Sequence, residues 1–167
     1  MTIIDVIQSA SERTDITLFP PAGLPVLQAG HQLPDDLLQF YRRCGGMRIG
    51  KGLALTILPP EQVSLANPLV LKDLSADQLR DISDDITWSW YAIARDDNGD
   101  YLSIDLDPGR NGRCYDSFWD CHGVPGSCPI IARSFTELLE RLIQADPPSG
   151  QPYWFSESFA VLGDAYD

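Results

Sequence analysis

Residues 88–107 constrain the fold more than any other stretch of the sequence. From 101 to 106, apolar side chains alternate with polar ones: Leu102, Ile104 and Leu106 point one way, and Tyr101, Ser103 and Asp105 the other. A period of two predicts a strand with one buried face, whereas residues 88–94 are apolar on both faces, as in a central strand. Asn98-Gly99 lies between the two segments and suits a tight turn. The stretch therefore predicts one long antiparallel hairpin at the centre of a sheet.

Two amphipathic segments predict helices before and after this hairpin. Residues 33–44 begin with Leu-Pro-Asp-Asp, carry Arg42 and Arg43 near their end and are followed by Gly45-Gly46. Proline and acids suit a first helical turn, bases suit the last turn, and glycine ends a helix. Residues 134–145 open with a Ser-Phe-Thr-Glu capping box and continue with an apolar stripe of helical period.

The remaining segments complete an expected single α+β domain over residues 1–167. Thr2 and Asp5 predict a capped helix to about Ser11, and strands are expected at 15–19, 47–58 and 113–119, the second with a hairpin or bulge at its start. Residues 67–87 are polar and rich in aspartate, which indicates a surface excursion with a short helix near 75–82. Residues 147–167 form an aromatic-rich extension that is expected to pack back on the domain.

The charge of the chain limits its partners. The 167 residues carry a formal net charge of −12, which repels nucleic acid and anionic membranes and attracts a basic protein. A surface that is acidic only for solubility is the alternative. No apolar run reaches the ~20 residues that span a bilayer, and residues 1–10 lack the basic start of a signal peptide. We therefore expect a cytoplasmic protein that binds neither nucleic acid nor membrane, with its oligomeric state left open.

The cysteines and histidines give no firm catalytic pattern. Cys114, Cys121 and Cys128 are spaced by seven residues, which matches no zinc template, so buried thiols are favoured and no metal or cofactor is expected. Residues 96–107 resemble a calcium loop only superficially, because Tyr101 and Asp107 stand where glycine and glutamate are required. Cys114, Asp116 and His122 could converge across a strand and a loop. A cysteine-dependent hydrolase that uses Cys114 or Cys121 is therefore kept as the least favoured alternative to a non-enzymatic protein.

Aspartates interleaved with aromatic residues around the hairpin predict a protein-binding surface. Such a mixture suits a basic partner, since aromatic side chains supply contact area and carboxylates supply charge complementarity. The alternative is that the aromatics fill the core and the aspartates belong to turns and edges. The candidate partner-binding residues are Asp96, Asp97, Asp100, Tyr101, Asp105, Asp116 and Trp119.

Four motifs, in this order along residues 33–145, resemble those of the SMI1/KNR4 family, also called the SUKH superfamily. They are the Leu-Pro-Asp-Asp helix that ends in Gly45-Gly46, the Asn-Gly hairpin between Ile93 and Leu106, the strand Arg113–Phe118, and the helix start Ala132-Arg-Ser-Phe135. Each motif is weak by itself, but four in the family's order are fairly specific.

The resemblance implies a curved antiparallel sheet flanked by helices, and no shared catalytic residues. Many bacterial members of the family are immunity proteins that bind and neutralise a cognate toxin, often a nuclease. The resemblance therefore predicts a toxin domain as the partner, and the acidic charge of this chain predicts that the domain is basic. Fungal members resemble regulators, which keeps open an intracellular regulatory or scaffolding module. Residues 67–87 are longer and more acidic than the usual connection, and the extension after residue 147 matches no motif of the family.

Overall fold

A seven-stranded antiparallel sheet, in which each strand pairs with the next along the chain, organises the computed structural model. The structure describes residues 1–145 and 159–167. The strands are β1 Ile16–Leu18, β2 Met47–Ile49, β3 Leu55–Ile57, β4 Trp90–Asp96, β5 Tyr101–Asp105, β6 Cys114–Ser117 and β7 Ile130–Ala132. The sheet is a meander and is not closed into a barrel, since β1 and β7 do not pair with each other. The expected α+β fold is confirmed.

The predicted hairpin at the centre of the sheet is confirmed as β4 and β5, with Tyr91 opposite Ile104 and Arg95 opposite Tyr101. Its first strand begins later than expected. The Asp85 carboxylate accepts a hydrogen bond from the Thr87 amide and starts a 3-10 turn over Ile86–Ser89. The alternation in β5 is as predicted, but Ser103 and Asp105 are fully buried. Both faces of the hairpin are therefore covered.

The helices found in the described residues are α1 Ile3–Ser11, α2 Asp35–Arg43, α3 Ala66–Val70, α4 Ala76–Asp81 and α5 Phe135–Gln144. Helices α1, α2 and α5 pack on one face of the sheet and form the main core, in which the rings of Phe40 and Phe135 meet edge to face at 4.8 Å. The Ser134 hydroxyl caps α5, but the Glu137 carboxylate accepts from the Arg133 amide instead of the Ser134 amide. Only half of the predicted capping box therefore forms.

The opposite face of the sheet carries a smaller core. Trp90 of β4 and Tyr115 of β6 stack with their rings 3.8 Å apart and nearly parallel. Ala66 of α3, Cys128 and Ala165 close this cluster. The segment between β3 and β4 and the last residues of the chain therefore cover the face that the sequence assigned to polar side chains.

Several elements differ from the sequence expectation. Residues 47–58 form the two strands β2 and β3, so the hairpin that the glycines suggested at the start of this segment is present, with its turn at Gly50 and Gly52. Helix α3 and strand β7 were not predicted. The excursion helix near 75–82 is confirmed as α4, with Ser75 as its N-cap. Tyr166 of the extension packs back, and its hydroxyl donates to Asp85. Three other aromatic residues of the extension, Tyr153, Trp154 and Phe155, lie outside the described residues.

Gly46 and Gly52 provide a matched test of a close approach between backbones. Both have positive φ, but a Cβ on Gly46 would lie 2.5 Å from the Ile57 carbonyl oxygen, whereas a Cβ on Gly52 would meet open space. Gly52→Ala carries only the cost of the backbone conformation, about 1 kcal/mol. Gly46→Ala is expected to lower the free energy of unfolding by about 1–3 kcal/mol more, because the strands must separate. Urea unfolding of the two variants measures the difference, and equal losses would contradict the close approach.

Candidate functional site

A groove opens beside the turn that joins β4 and β5, and three of the predicted binding residues meet in it. We call it the tip groove. It has a volume of about 480 Å³ and is lined by residues 69–74, 98–101, Ser117 and Trp119. Trp119 is 68% exposed and forms part of its rim. A large exposed aromatic side chain beside a concave surface is typical of a contact site for a partner.

Three of the seven predicted binding residues line the tip groove: Asp100, Tyr101 and Trp119. The Arg95 guanidinium lies 6.0 Å from the centre of the Tyr101 ring, on the neighbouring strand. Partial burial, followed by repulsion from Asp96 and Asp120, raises the pKa of Asp100 above its usual value. A carboxylate in such surroundings is stabilised by a cation that enters the groove.

Asp97 is placed at the hairpin turn but is already paired. Its two carboxylate oxygens accept hydrogen bonds from Arg48 at 3.1 and 3.0 Å, and one of them also accepts from the Ala54 amide at 3.0 Å. The Arg48 guanidinium, with help from the Ala54 amide, lowers the pKa of Asp97. Asp97 therefore fixes the hairpin to β2 and β3, and it does not line the groove.

Asp96 and Asp116 lie behind the tip groove. In the ladders they stand opposite Leu55 and Leu102, which belong to the main core. Asp96 is buried: its Oδ1 accepts from the Asp100 amide at 2.8 Å, and its Oδ2 has no partner among the described residues. Burial, with repulsion from Asp100 and Asp120, raises the pKa of Asp116 to about 6. Both carboxylates add negative potential near the groove without lining it.

Asp105 corrects the prediction of a surface role. Its side chain is completely buried, so a partner cannot reach it in this structure. The carboxylate accepts hydrogen bonds from Ser89 Oγ at 2.6 Å, Arg110 Nε at 2.9 Å, Trp90 Nε1 at 3.1 Å and Tyr115 Oη at 3.2 Å. The alternation correctly placed Asp105 on the polar face of β5, but that face is covered by the smaller core. Asp105 is a structural residue.

The structure does not bring the cysteine and histidine candidates together. His122 is buried between Asn67 and Ser117: Nε2 donates to Asn67 Oδ1 at 2.7 Å, and Nδ1 accepts from Ser117 Oγ at 2.9 Å. The donor and acceptor roles of the two ring nitrogens follow from the orientation of the Asn67 amide group. Its NH₂ group donates to Thr87, so its oxygen faces the His122 ring. Burial lowers the pKa of His122 to about 4. Its ring is neutral at pH 7, and both of its nitrogens are engaged.

The thiols are free and unsuited to nucleophilic attack. Burial raises the pKa of Cys121 to about 12 and that of Cys128 to about 11, and it also raises the pKa of Cys44 and Cys114. A reactive cysteine requires the opposite shift, because the thiolate is the nucleophile. Within residues 1–145 and 159–167, no group of three or more histidine, cysteine or acidic side chains could hold a metal ion.

One wall of the tip groove was missed from the sequence. Residues 69–74 belong to a segment that was expected to be a polar excursion, yet Leu69, Leu71 and Leu74 are half-buried and line the groove. The signal that could have identified the wall is this short aliphatic cluster, which the surrounding aspartates obscured.

The helices found within residues 1–145 and 159–167 include none with the length and apolar character that a membrane span requires.

The fold is that of a small α+β domain, and comparison with known proteins shows the family of the chain. The chain belongs to the SMI1 / KNR4 family (SUKH-1), whose sequence profile matches residues 27–141. It is 38% identical over 169 residues to the immunity protein YokJ of Bacillus subtilis (strain 168), an alignment that covers 100% of this chain and 97% of the relative. No solved structure gives a significant match. The family resemblance seen in the sequence motifs is therefore confirmed.

Asp105 and Asp107 offer a matched pair for testing the buried carboxylate, because both face Arg110. Asp105→Asn is expected to lower the free energy of unfolding by about 3–5 kcal/mol, since the guanidinium loses its buried counter-charge and the new NH₂ group faces other donors. Asp107 lies 3.9 Å from the same guanidinium and is 38% exposed, so Asp107→Asn should cost less than about 1 kcal/mol. Chemical denaturation measures both. Similar losses would contradict a structural role specific to Asp105.

Asp116 makes stability depend on pH. The folded state raises its pKa to about 6 from the ordinary 3.8, so the ionised form is disfavoured in the folded protein, and stability falls as the pH rises through 6. Asp116→Asn should therefore raise the free energy of unfolding by about 2–3 kcal/mol at pH 7 and by little at pH 4. Its exposed neighbour gives the control: Asp120→Asn is expected to change stability by less than about 0.5 kcal/mol at either pH. Denaturation curves at both pH values decide between these outcomes.

Proposed function

We propose that this chain is an immunity protein that binds a toxin and neutralises it without catalysis. The observation that carries the proposal is the 38% identity to an immunity protein over nearly the full length of both chains. Proteins related over their whole length share a fold, but function depends on the site. The tip groove supplies such a site, because it combines exposed aromatic and aliphatic surface with carboxylates.

The chemistry of the described residues supports binding rather than catalysis. Cys114 donates to backbone carbonyls, and the nitrogens of His122 are bound to Asn67 and Ser117. A hydrolase that used these groups would need the thiol and the imidazole within hydrogen-bonding distance of each other. Occlusion of a toxin's working surface requires no such pair.

The proposed toxin-binding surface is the tip groove, with Trp119 and Tyr101 as aromatic contacts and Asp100 as the charged contact. Asp96 and Asp116 strengthen the negative potential there, and Asp97 holds the turn in place. A net charge of −12 favours a basic toxin and accelerates its encounter with the chain. A nuclease is one such toxin, since its substrate is also polyanionic. The proposed location of the encounter is the cytoplasm.

Affinity capture from the organism that encodes the chain would test the function directly. The tagged protein is incubated with lysate at low and at high salt, and the retained proteins are identified by mass spectrometry. We expect one basic toxin domain in stoichiometric amount, lost at high salt. Co-expression then shows whether the chain rescues cells from that toxin, and toxicity that persists despite a folded, abundant chain would refute the immunity function.

Trp119 is the residue whose removal should most clearly weaken the complex with the captured toxin. Trp119→Ala is expected to reduce affinity at least tenfold, because a bound toxin would bury the exposed indole, and a large aromatic contact that is buried on binding supplies about 2 kcal/mol or more of binding free energy. Val26 is 89% exposed and lies outside the groove, so Val26→Ala serves as the control with unchanged affinity. Isothermal calorimetry measures both variants. Equal affinities for the two would exclude the tip groove as the toxin-binding surface.

A further inference from the structure

We propose that a second hollow, at the opposite end of β6 from the tip groove, is a binding site for a phosphate monoester. The hollow has a volume of about 600 Å³, and three arginine side chains line it, so we call it the arginine hollow. Arg110 lies in the turn between β5 and β6, Arg113 directly precedes β6, and Arg133 directly follows β7. This inference goes beyond the proposed function and does not depend on it.

Two of these arginines are neighbours across the strands. Cys114 pairs with Ala132 at the end of the β6–β7 ladder, so Arg113 and Arg133, one residue further along each strand, lie beside each other. Cys114 and Ala132 belong to the main core, and strand alternation places the two arginines on the opposite face of the sheet. Like charges that stand opposite each other destabilise a pair of strands. The chain therefore accepts a cost in stability to hold two positive charges together.

The third guanidinium is held in place from below. Arg110 Nε donates to the buried Asp105 carboxylate at 2.9 Å, and Nη2 donates to Ser89 Oγ at 3.3 Å. The Arg110 side chain is 30% exposed, so part of it stays open to the hollow. Burial and the Asp105 charge raise the pKa of Tyr115, and the guanidiniums of Arg113 and Arg110 both oppose that rise. Both guanidiniums therefore lie near the same phenol group, on the same face of the sheet.

The positive charges of Arg113 and Arg133 are not neutralised by the part of the chain that the structure describes, since neither side chain forms a salt bridge there. Two carboxylates also line the hollow, those of Asp164 and Asp167. The Asp164 oxygens accept hydrogen bonds from three backbone amides, and Asp167 is exposed. An anion that enters the hollow therefore meets two guanidiniums that lack a counter-charge within salt-bridge distance.

The charge and shape of this site favour a phosphate monoester. A guanidinium binds phosphate oxygens through parallel hydrogen bonds, and a tetrahedral phosphate offers oxygens to more than one guanidinium at once. A monoester carries a charge of about −2 near neutral pH, which matches the two unpaired arginines better than a singly charged carboxylate or diester does. The volume leaves room for the organic group that bears the phosphate, and Ile130 and Leu162 supply apolar lining for it.

A nucleic acid fits the hollow poorly. The net charge of −12 repels a long polyanion along its whole contact with the chain. A compact ligand is affected less, because physiological salt screens exposed charges that lie more than about 8 Å away. The two adjacent guanidiniums then dominate the potential at the site.

Two aromatic esters of the same shape test the inference on the intact chain. Phenyl phosphate is largely a dianion at pH 7, and phenyl sulfate is a monoanion. Each is titrated into ¹⁵N-labelled protein at physiological salt. We expect saturable shifts of the Arg113 and Arg133 Nε–H signals and of the amides of residues 109–113, with phenyl phosphate bound about fivefold or more tighter than phenyl sulfate. Equal affinities, or no saturable shift at these residues, would overturn the inference.

Two double variants with the same change in charge separate local recognition from general electrostatics. Arg113→Gln with Arg133→Gln should weaken phenyl phosphate about tenfold or more, because both unpaired guanidiniums are lost. Arg42→Gln with Arg43→Gln removes two exposed bases outside the hollow and should change its dissociation constant by less than about twofold, because their charges are screened. Without the probe, the first pair should not lower the melting temperature, since it removes a repulsion between like charges. Equal weakening by the two pairs, or a lower melting temperature for the first, contradicts the proposal.

Peptides identify the source of the phosphate. A phosphotyrosine residue flanked by glycines presents phenyl phosphate on a peptide backbone. Binding at least as tight as that of phenyl phosphate would support a phosphorylated protein as the source, whereas binding about tenfold weaker would support a free small molecule, because the backbone then obstructs entry. A tetraglutamate peptide that binds the hollow as tightly as phenyl phosphate would identify an acidic protein segment as the occupant and overturn the inference.

Discussion

The buried carboxylate of Asp105 holds together the face of the sheet on which the tip groove depends. It receives hydrogen bonds from β4 through Trp90, from β6 through Tyr115, and from the turn that follows β5 through Arg110. Placing a charge in the core is unfavourable unless nearly all of its hydrogen-bonding capacity is used. The requirement fixes the positions of three strands relative to one another, and the stacked rings of Trp90 and Tyr115 depend on that alignment.

A second array of hydrogen bonds connects the central strands to the residues around the groove. The hydroxyl groups of Ser103 and Ser117 form a hydrogen bond between β5 and β6, and Ser117 also donates to His122. His122 donates to Asn67, and Asn67 donates to Thr87. Asn67 belongs to α3, two residues before the aliphatic wall, and His122 follows the rim residue Trp119 by three positions. The array therefore ties both sides of the groove to the central strands. Neutrality of the His122 ring is a condition of this arrangement, because a protonated ring could not accept from Ser117.

Local chemistry made much of the fold predictable. The capping residues Thr2, Ser75 and Ser134, the turn at Asn98-Gly99 and the alternation in β5 act within a few residues of the chain, and each specifies the element that the structure contains. The family resemblance had the same origin, since its motifs are local. Glu137 shows the limit even here, because its carboxylate bonds to the Arg133 amide and not to the one that the capping pattern predicts.

Long-range packing determined what the sequence left open. Whether the polar face of β5 meets solvent depends on α3 and residues 159–167, which are distant in the chain, so the burial of Asp105 could not be inferred from the alternation. The same holds for the candidate site. Asp100, Tyr101 and Trp119 were identifiable as turn and strand residues rich in charge and aromatic surface. The aliphatic cluster of the opposing wall at 69–74 is visible in the sequence, but its position across the groove is not, because that position is fixed through the long-range contact of Asn67 with His122.

The order of strands in the meander has a consequence for how the molecule assembles. Most neighbouring strands are joined by short or moderate connections, but β3 ends at Ile57 and β4 begins at Trp90. The entropy of closing a loop rises with its length, so the pairing of β3 with β4 carries one of the larger closure costs in the central sheet. That loop contains residues 69–74, which form one wall of the tip groove. Substitutions in that wall therefore fall in a segment whose closure also influences the folding rate, so the shape of the groove and the folding kinetics depend on the same stretch of chain.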